Sequence, residues 1–78
     1  MEFKQYRRTK ISEMREVTLE EIENGYQALL DARISISQPD IENGSPKAGD
    51  MISRNPKNHD DQWLVSSTFF KENFEPYD

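Results

Sequence analysis

"GDMISRNPKNHDDQWLVS", Gly49 to Ser66, is the stretch on which the fold turns. Met51 and Ile52 open one extended segment in "DMISR", and "QWLVS" offers a second. The residues between them, "NPKNHDD" (Asn55 to Asp61), are types that tolerate or preset turn geometry. The pattern predicts a β-hairpin over about residues 50–65. The same loop holds the only histidine, His59, beside Asp60 and Asp61, just ahead of the only tryptophan, Trp63.

Upstream, Thr18 opens "TLEE", a capping box in which the Thr18 hydroxyl accepts from the Glu21 amide and the Glu21 carboxylate reaches back to the Thr18 amide. Leu19, Ile22, Tyr26, Leu29 and Leu30 follow at helical spacing and form one apolar stripe, which predicts a single helix over about 18–32. Gly25 is discordant, at about 1 kcal/mol against alanine in a helix interior, but the stripe runs past it. Phe3 to Met14 mixes aromatic and β-branched residues with charge and reads as a half-exposed or edge strand, its long cations discouraging aggregation.

"RISIS" (Arg33 to Ser37) alternates as a short strand, and "SQPDIENG" repeats the helix-start chemistry of "TLEEIENG", with Ser37 as cap, Asp40 completing the box and Gly44 closing in the left-handed conformation. Downstream of the hairpin, Ser66 or Ser67 caps a short C-terminal helix through Phe74, which Pro76 stops. "FEPYD" is expected to return beside the first strand, bringing Glu75 and Asp78 toward Arg7 and Arg8. The expected class is therefore α+β, one domain over 1–78, with a short antiparallel sheet packed by one capped helix and a short C-terminal helix. The four phenylalanines, Trp63 and the aliphatic stripe are expected to supply most of the core.

Seventy-eight residues sit near the lower limit for a core-stabilised fold, with a stability of roughly 3–5 kcal/mol. The chain contains no cysteine, which removes disulfides and thiolate metal sites and suits a reducing cytoplasm. Apolar runs of two or three residues, such as Trp63-Leu64-Val65, cannot span a bilayer, and the N-terminus lacks the apolar stretch of a signal peptide. Residues 1–15 carry Lys4, Arg7, Arg8, Lys10 and Arg15 against Glu2 and Glu13, a balance of +3; the whole chain is −5, which leaves −8 for the rest. An acidic surface of that kind repels free nucleic acid and argues against a nucleic-acid binder.

His59, Asp60 and Asp61 are the one candidate metal constellation, but three neighbours in a loop seldom converge without a distant ligand. The better reading is a turn in which Asn58 or Asp60 accepts backbone amides. No nucleophile elbow or phosphate loop is present, the glycines at 25, 44 and 49 being too dispersed, so no catalytic residue and no cofactor is assigned. Tyr6, Arg7 and Arg8, together with Arg54 and Trp63, are the candidate partner-binding residues, and an exposed Trp63 would be the best anchor among them.

"QYRRTKISEMR" (Gln5 to Arg15), "GSPKAGDMISRNPKNHDDQWLV" (Gly44 to Val65) and "FFKENFEP" (Phe69 to Pro76) together resemble a group of small proteins encoded by tailed bacteriophages and prophages. The resemblance covers most of the chain except residues 16–33, which reads as a helical insertion that varies within the group. It implies synthesis in the cytoplasm of an infected or lysogenic bacterium and lends no catalytic residues. It leads to the expectation of a non-enzymatic accessory protein that binds a host or phage protein, such as a component of a defence system. A virion or assembly component, including a homo-oligomeric one, and a small metal-binding domain are the alternatives.

Overall fold

The computed structural model describes residues 3–7 and 11–76. Six strands form one mixed sheet in the order β3-β5-β4-β2-β1-β6. The centre is the hairpin expected from the sequence: β4 (Met51–Asn55) and β5 (Asn58–Val65) pair antiparallel, with Ile52 opposite Leu64 and Ser53 opposite Trp63. Its turn is only Pro56 and Lys57, so "NPKNHDD" is not one loop; its second half is already strand. Proline presets φ for such a turn, and the Asn55 side chain accepts the Lys57 amide at 2.9 Å.

The N-terminal segment corrects the expectation of a single half-exposed or edge strand in its number and its place at an edge. It is two strands, β1 (Lys4–Arg7) and β2 (Ile11–Glu16), paired antiparallel, and neither lies at an edge. β2 pairs with β4 on its other side, and β1 with β6 (Glu75–Pro76), where Arg7 stands in register with Glu75. The return of "FEPYD" beside the first strand is thus borne out for residues 75 and 76, while Arg8 and Asp78 lie outside the described residues. The edges are β6 and β3 (Ile34–Ser35), which runs parallel to β5, and each is two residues long. Short edges offer little template for aggregation, and Pro76 sits on one, where a missing donor does no harm.

The helix expected over 18–32 is broken. α1 (Leu19–Asn24) and α2 (Tyr26–Asp31) meet at Gly25, whose φ of 82° and ψ of 178° belong to a region open essentially to glycine alone. The Gly25 amide still closes α1 on the Glu21 carbonyl, and the Gly25 carbonyl starts α2 by accepting from Ala28. The capping box at Thr18 forms in full: Thr18 Oγ1 accepts from the Glu21 amide at 3.1 Å and the Glu21 carboxylate accepts from the Thr18 amide at 2.9 Å. At the second copy of the pattern, α3 (Gln38–Glu42) is capped by Ser37 and followed by Gly44 at φ 91°, but the cap is one-sided. α4 (Ser67–Asn73) starts at the Ser66 cap.

The core corrects a further expectation. On one face of the sheet, against α1 and α2, lie Val17, Leu29, Ile34, Ile52 and Leu64, with Phe3, Ile22 and Ile36 at the margin. On the other, under α4, lie Met14, Met51 and Val65, flanked by Phe70 and Phe74. Aliphatic and methionine side chains fill the interior. The phenylalanines lie at its rim or, like Phe69, outside it, and Trp63 remains 36 % exposed. Strand residues at alternate positions supply both faces, Ile52 and Leu64 one and Met14, Met51 and Val65 the other.

Three buried polar residues, Ser45, Asp50 and Ser53, accompany this core. Asp50, fully buried, accepts from Ser45 Oγ at 2.6 Å and the Lys47 amide at 3.0 Å on Oδ2, and from the Ser67 amide at 2.9 Å on Oδ1. It therefore ties the loop after α3, which contains a cis Ser45-Pro46 peptide, to the start of α4. Ser53 is equally buried, and its hydroxyl has no hydrogen-bond partner among the described residues.

Candidate functional site

The strand register explains what the histidine and aspartates do. Arg54 stands opposite Gln62 and Asn55 opposite Asn58, so His59, Asp60 and Asp61 face a single step of β4. The surplus residues form a bulge, a device that bends a strand and re-aims side chains. Its backbone is held from within: Asn58 Oδ1 accepts the Asp60 amide at 3.2 Å, and Gln62 Nε2 donates to the His59 carbonyl at 2.9 Å. The expected acceptor role thus falls to Asn58 and, in the turn, to Asn55.

The bulge brings His59 to a different partner from the aspartates beside it. The half-exposed imidazole places Nε2 at 3.5 Å from Glu13 Oε1, an ion pair only when the ring is protonated. Among the described residues, no three histidine, aspartate or glutamate side chains gather as a metal-holding group. His59, Asp60 and Asp61 are adjacent in sequence without converging.

Glu13 Oε1 belongs first to Arg54, whose Nε donates to it at 2.7 Å. That hydrogen bond, more than the surrounding charge, holds the Glu13 carboxyl below the ordinary glutamate range. The Arg54 guanidinium also lies 4.2 Å from the centroid of the Phe3 ring, and Arg15 lies 5.5 Å from the same ring. Arg15 in turn forks onto Glu21, NH1 to Oε1 and NH2 to Oε2, both at 2.8 Å. This pairing, followed by the bond from the Thr18 amide, lowers the Glu21 carboxyl as well. Glu21 therefore closes the cap of α1 and anchors α1 to β2.

The result is a continuous latch, Glu21–Arg15–Phe3–Arg54–Glu13–His59, running from α1 across β2 and β4 to the bulge. Each charge in it is matched inside the fold, and its chemistry is that of a clasp. Arg54 is engaged there, with 24 % of its side chain exposed. Of the other candidates, Arg8 and the side chains of Tyr6 and Arg7 lie outside the described residues. Of the two candidates whose side chains are described, Arg54 and Trp63, it is Trp63 that presents an open apolar surface, 36 % exposed. Its immediate neighbours across the sheet are both serines, Ser53 on β4 and Ser35 on β3, so neither covers the indole.

Glu13, Arg15 and Asp50 were not singled out as site residues from the sequence. Glu13 and Arg15 sit at alternate positions of β2, a spacing that places both on one face, but the partners that give the face meaning lie far along the chain. Asp50 had a faint local signal, an aspartate between Gly49 and a strand.

Comparisons with family models, curated proteins and solved structures found no match for this chain. Among the described residues, no helix is long and apolar enough to cross a membrane.

Proposed function

We propose that this chain is a small non-enzymatic binding domain, a phage-type accessory protein that acts by contact with a host protein in the bacterial cytoplasm, with Trp63 as its anchor. The observation that carries the reading is Trp63 itself: an indole fixed on a central strand between buried Leu64 and two flanking serines, yet more than a third exposed. A rigid aromatic group of this kind loses little entropy on binding and buries a large area, which is why tryptophan dominates interface hot spots. Support for a phage origin comes from the sequence blocks at 5–15, 44–65 and 69–76 alone. A host defence component is the partner class that such an origin suggests.

The test is affinity capture from bacterial lysate, run in parallel with the wild-type protein and Trp63→Ala. A protein retained by the first and lost by the second, while both variants unfold cooperatively, is the expected result. An identical set of retained proteins, or none, removes the reading.

A further inference from the structure

The opposite face of the sheet carries an apolar surface that the core leaves unused. On α2, Tyr26 and Leu30 lie one turn apart beside buried Leu29 and remain 41 % and 38 % exposed. Leu19, the first residue of α1, is 70 % exposed and so contributes little to folding. The same two helices carry Glu20, Glu23 and Asp31, all exposed and none engaged in an ion pair among the described residues. From residue 16 to residue 46 the chain holds seven carboxylates, at 16, 20, 21, 23, 31, 40 and 42, against the single base Arg33. Of those carboxylates only Glu21 is ion-paired among the described residues, with Arg15. Isolated exposed leucines are ordinary surface, but an apolar group ringed by unmatched charge of one sign selects the sign of what covers it.

We propose that the α1–α2 surface docks a cationic amphipathic helix of a partner protein. Its apolar side chains would rest on Leu19, Tyr26 and Leu30, and its lysines or arginines would meet Glu20, Glu23 and Asp31. Anchors one helical turn apart, as Tyr26 and Leu30 are, match the i, i+3, i+4 spacing with which such a helix presents its own apolar stripe. The same carboxylates repel an anionic bilayer and a nucleic acid. This surface is separate from the Trp63 anchor. Trp63 lies two residues from Val65 on β5, on the face that α4 covers, whereas α1 and α2 pack on the other. A second binding face goes beyond the Trp63 reading and stands or falls independently of it.

The probe is a synthetic peptide with leucines at i, i+3, i+4 spacing and lysines elsewhere, titrated into isotope-labelled protein and followed by amide chemical shifts. A control peptide of the same composition has its apolar stripe scrambled. Shifts confined to residues 19–31 are expected, with binding at least roughly tenfold weaker for the scrambled peptide, for Leu19→Ser/Leu30→Ser and for Glu20→Lys/Glu23→Lys. The lysine pair sits at exposed positions and keeps the test valid if the serine pair weakens folding. Trp63→Ala should bind the peptide as wild type does, so loss of a lysate partner in that variant speaks only to the other face. The proposal is overturned by equal affinity for the scrambled peptide, by shifts centred on Trp63, or by no binding. It is overturned equally if sedimentation shows that the protein self-associates and Leu19→Ser/Leu30→Ser abolishes this, since the surface would then belong to a second copy.

Discussion

Arg54 Nε donates to Glu13 Oε1 at 2.7 Å, joining residues 41 positions apart in the chain. The bond crosses from β4 to β2 at a registered pair and leaves the same oxygen within 3.5 Å of His59. A single carboxylate thus holds the sheet register and the bulge together. Arg15 repeats the device at the other end of the latch, where its fork onto Glu21 fastens the first helix.

Acid should loosen this latch. Arg54 lowers the Glu13 carboxyl and Arg15 lowers that of Glu21, so both glutamates have folded values below the ordinary 4.5. Groups depressed in the folded state contribute stability that is present above their unfolded value and lost as pH falls through the folded one. Urea unfolding should therefore show constant latch stability at neutral pH and a decline that begins near pH 4.5 and continues below it. Glu13→Gln/Glu21→Gln is expected to be less stable at neutral pH and to show a shallower decline in acid. An unchanged slope would mean that other carboxylates control the acid transition.

Asp50 should be the least replaceable polar residue. Asp50→Ala strips acceptors from the Ser45 hydroxyl and from the Lys47 and Ser67 amides. The Ser45 hydroxyl, left buried without this partner, costs ~1–3 kcal/mol, and the part-buried Lys47 and Ser67 amides lose their acceptors as well. Set against a total stability of roughly 3–5 kcal/mol, the variant is expected to lose its cooperative thermal transition in circular dichroism. Asp50→Asn keeps one good acceptor and should melt cooperatively at a lower temperature than wild type.

Gly25→Ala separates a continuous helix from the broken one. In an unbroken helix the substitution would stabilise by about 1 kcal/mol. At φ 82° and ψ 178° it is expected instead to destabilise by about 1–3 kcal/mol. A methyl group at this position meets nothing within 4 Å, so any cost measured by chemical denaturation is backbone strain alone.

Leu19 and Leu29 belong to the same apolar stripe but are 70 % and 2 % exposed. Leu29→Ala should cost about 2–5 kcal/mol, and Leu19→Ala no more than about 0.5 kcal/mol. Equal costs in denaturant titrations would contradict the packing of α1 and α2.

Ser53→Ala is expected to stabilise. The hydroxyl is fully buried without a partner among the described residues, and removing it relieves a desolvation penalty of ~1 kcal/mol or more while barely changing volume. A higher thermal midpoint is the sign to look for; a lower one would show that the hydroxyl is satisfied in solution.

The local elements were legible in the sequence because their signals are local. Thr18, Ser37 and Ser66 cap helices by bonding amides a few residues away, and the hairpin of Met51 to Val65 is set by a proline turn between two apolar arms. The α+β class follows from those pieces. So does the return of residues 75 and 76 to the first strand, which the opposite charges at the two ends of the chain suggest.

Tertiary structure decided the rest. Whether Leu19 or Leu29 is buried depends on which side of a short helix meets the sheet, and helical spacing alone treats both as one stripe. The break at Gly25 lets α1 and α2 follow the sheet separately, and no propensity of a few tenths of a kcal/mol competes with that packing. The bulge at His59 to Asp61 arises only when β5 must keep Leu64 opposite Ile52 while its turn closes at Pro56 and Lys57. The histidine and aspartates looked like a site because they are adjacent in the chain. Chemistry depends on where side chains converge, and here His59 converges with Glu13 and Arg54, which only the folding of distant strands brings together.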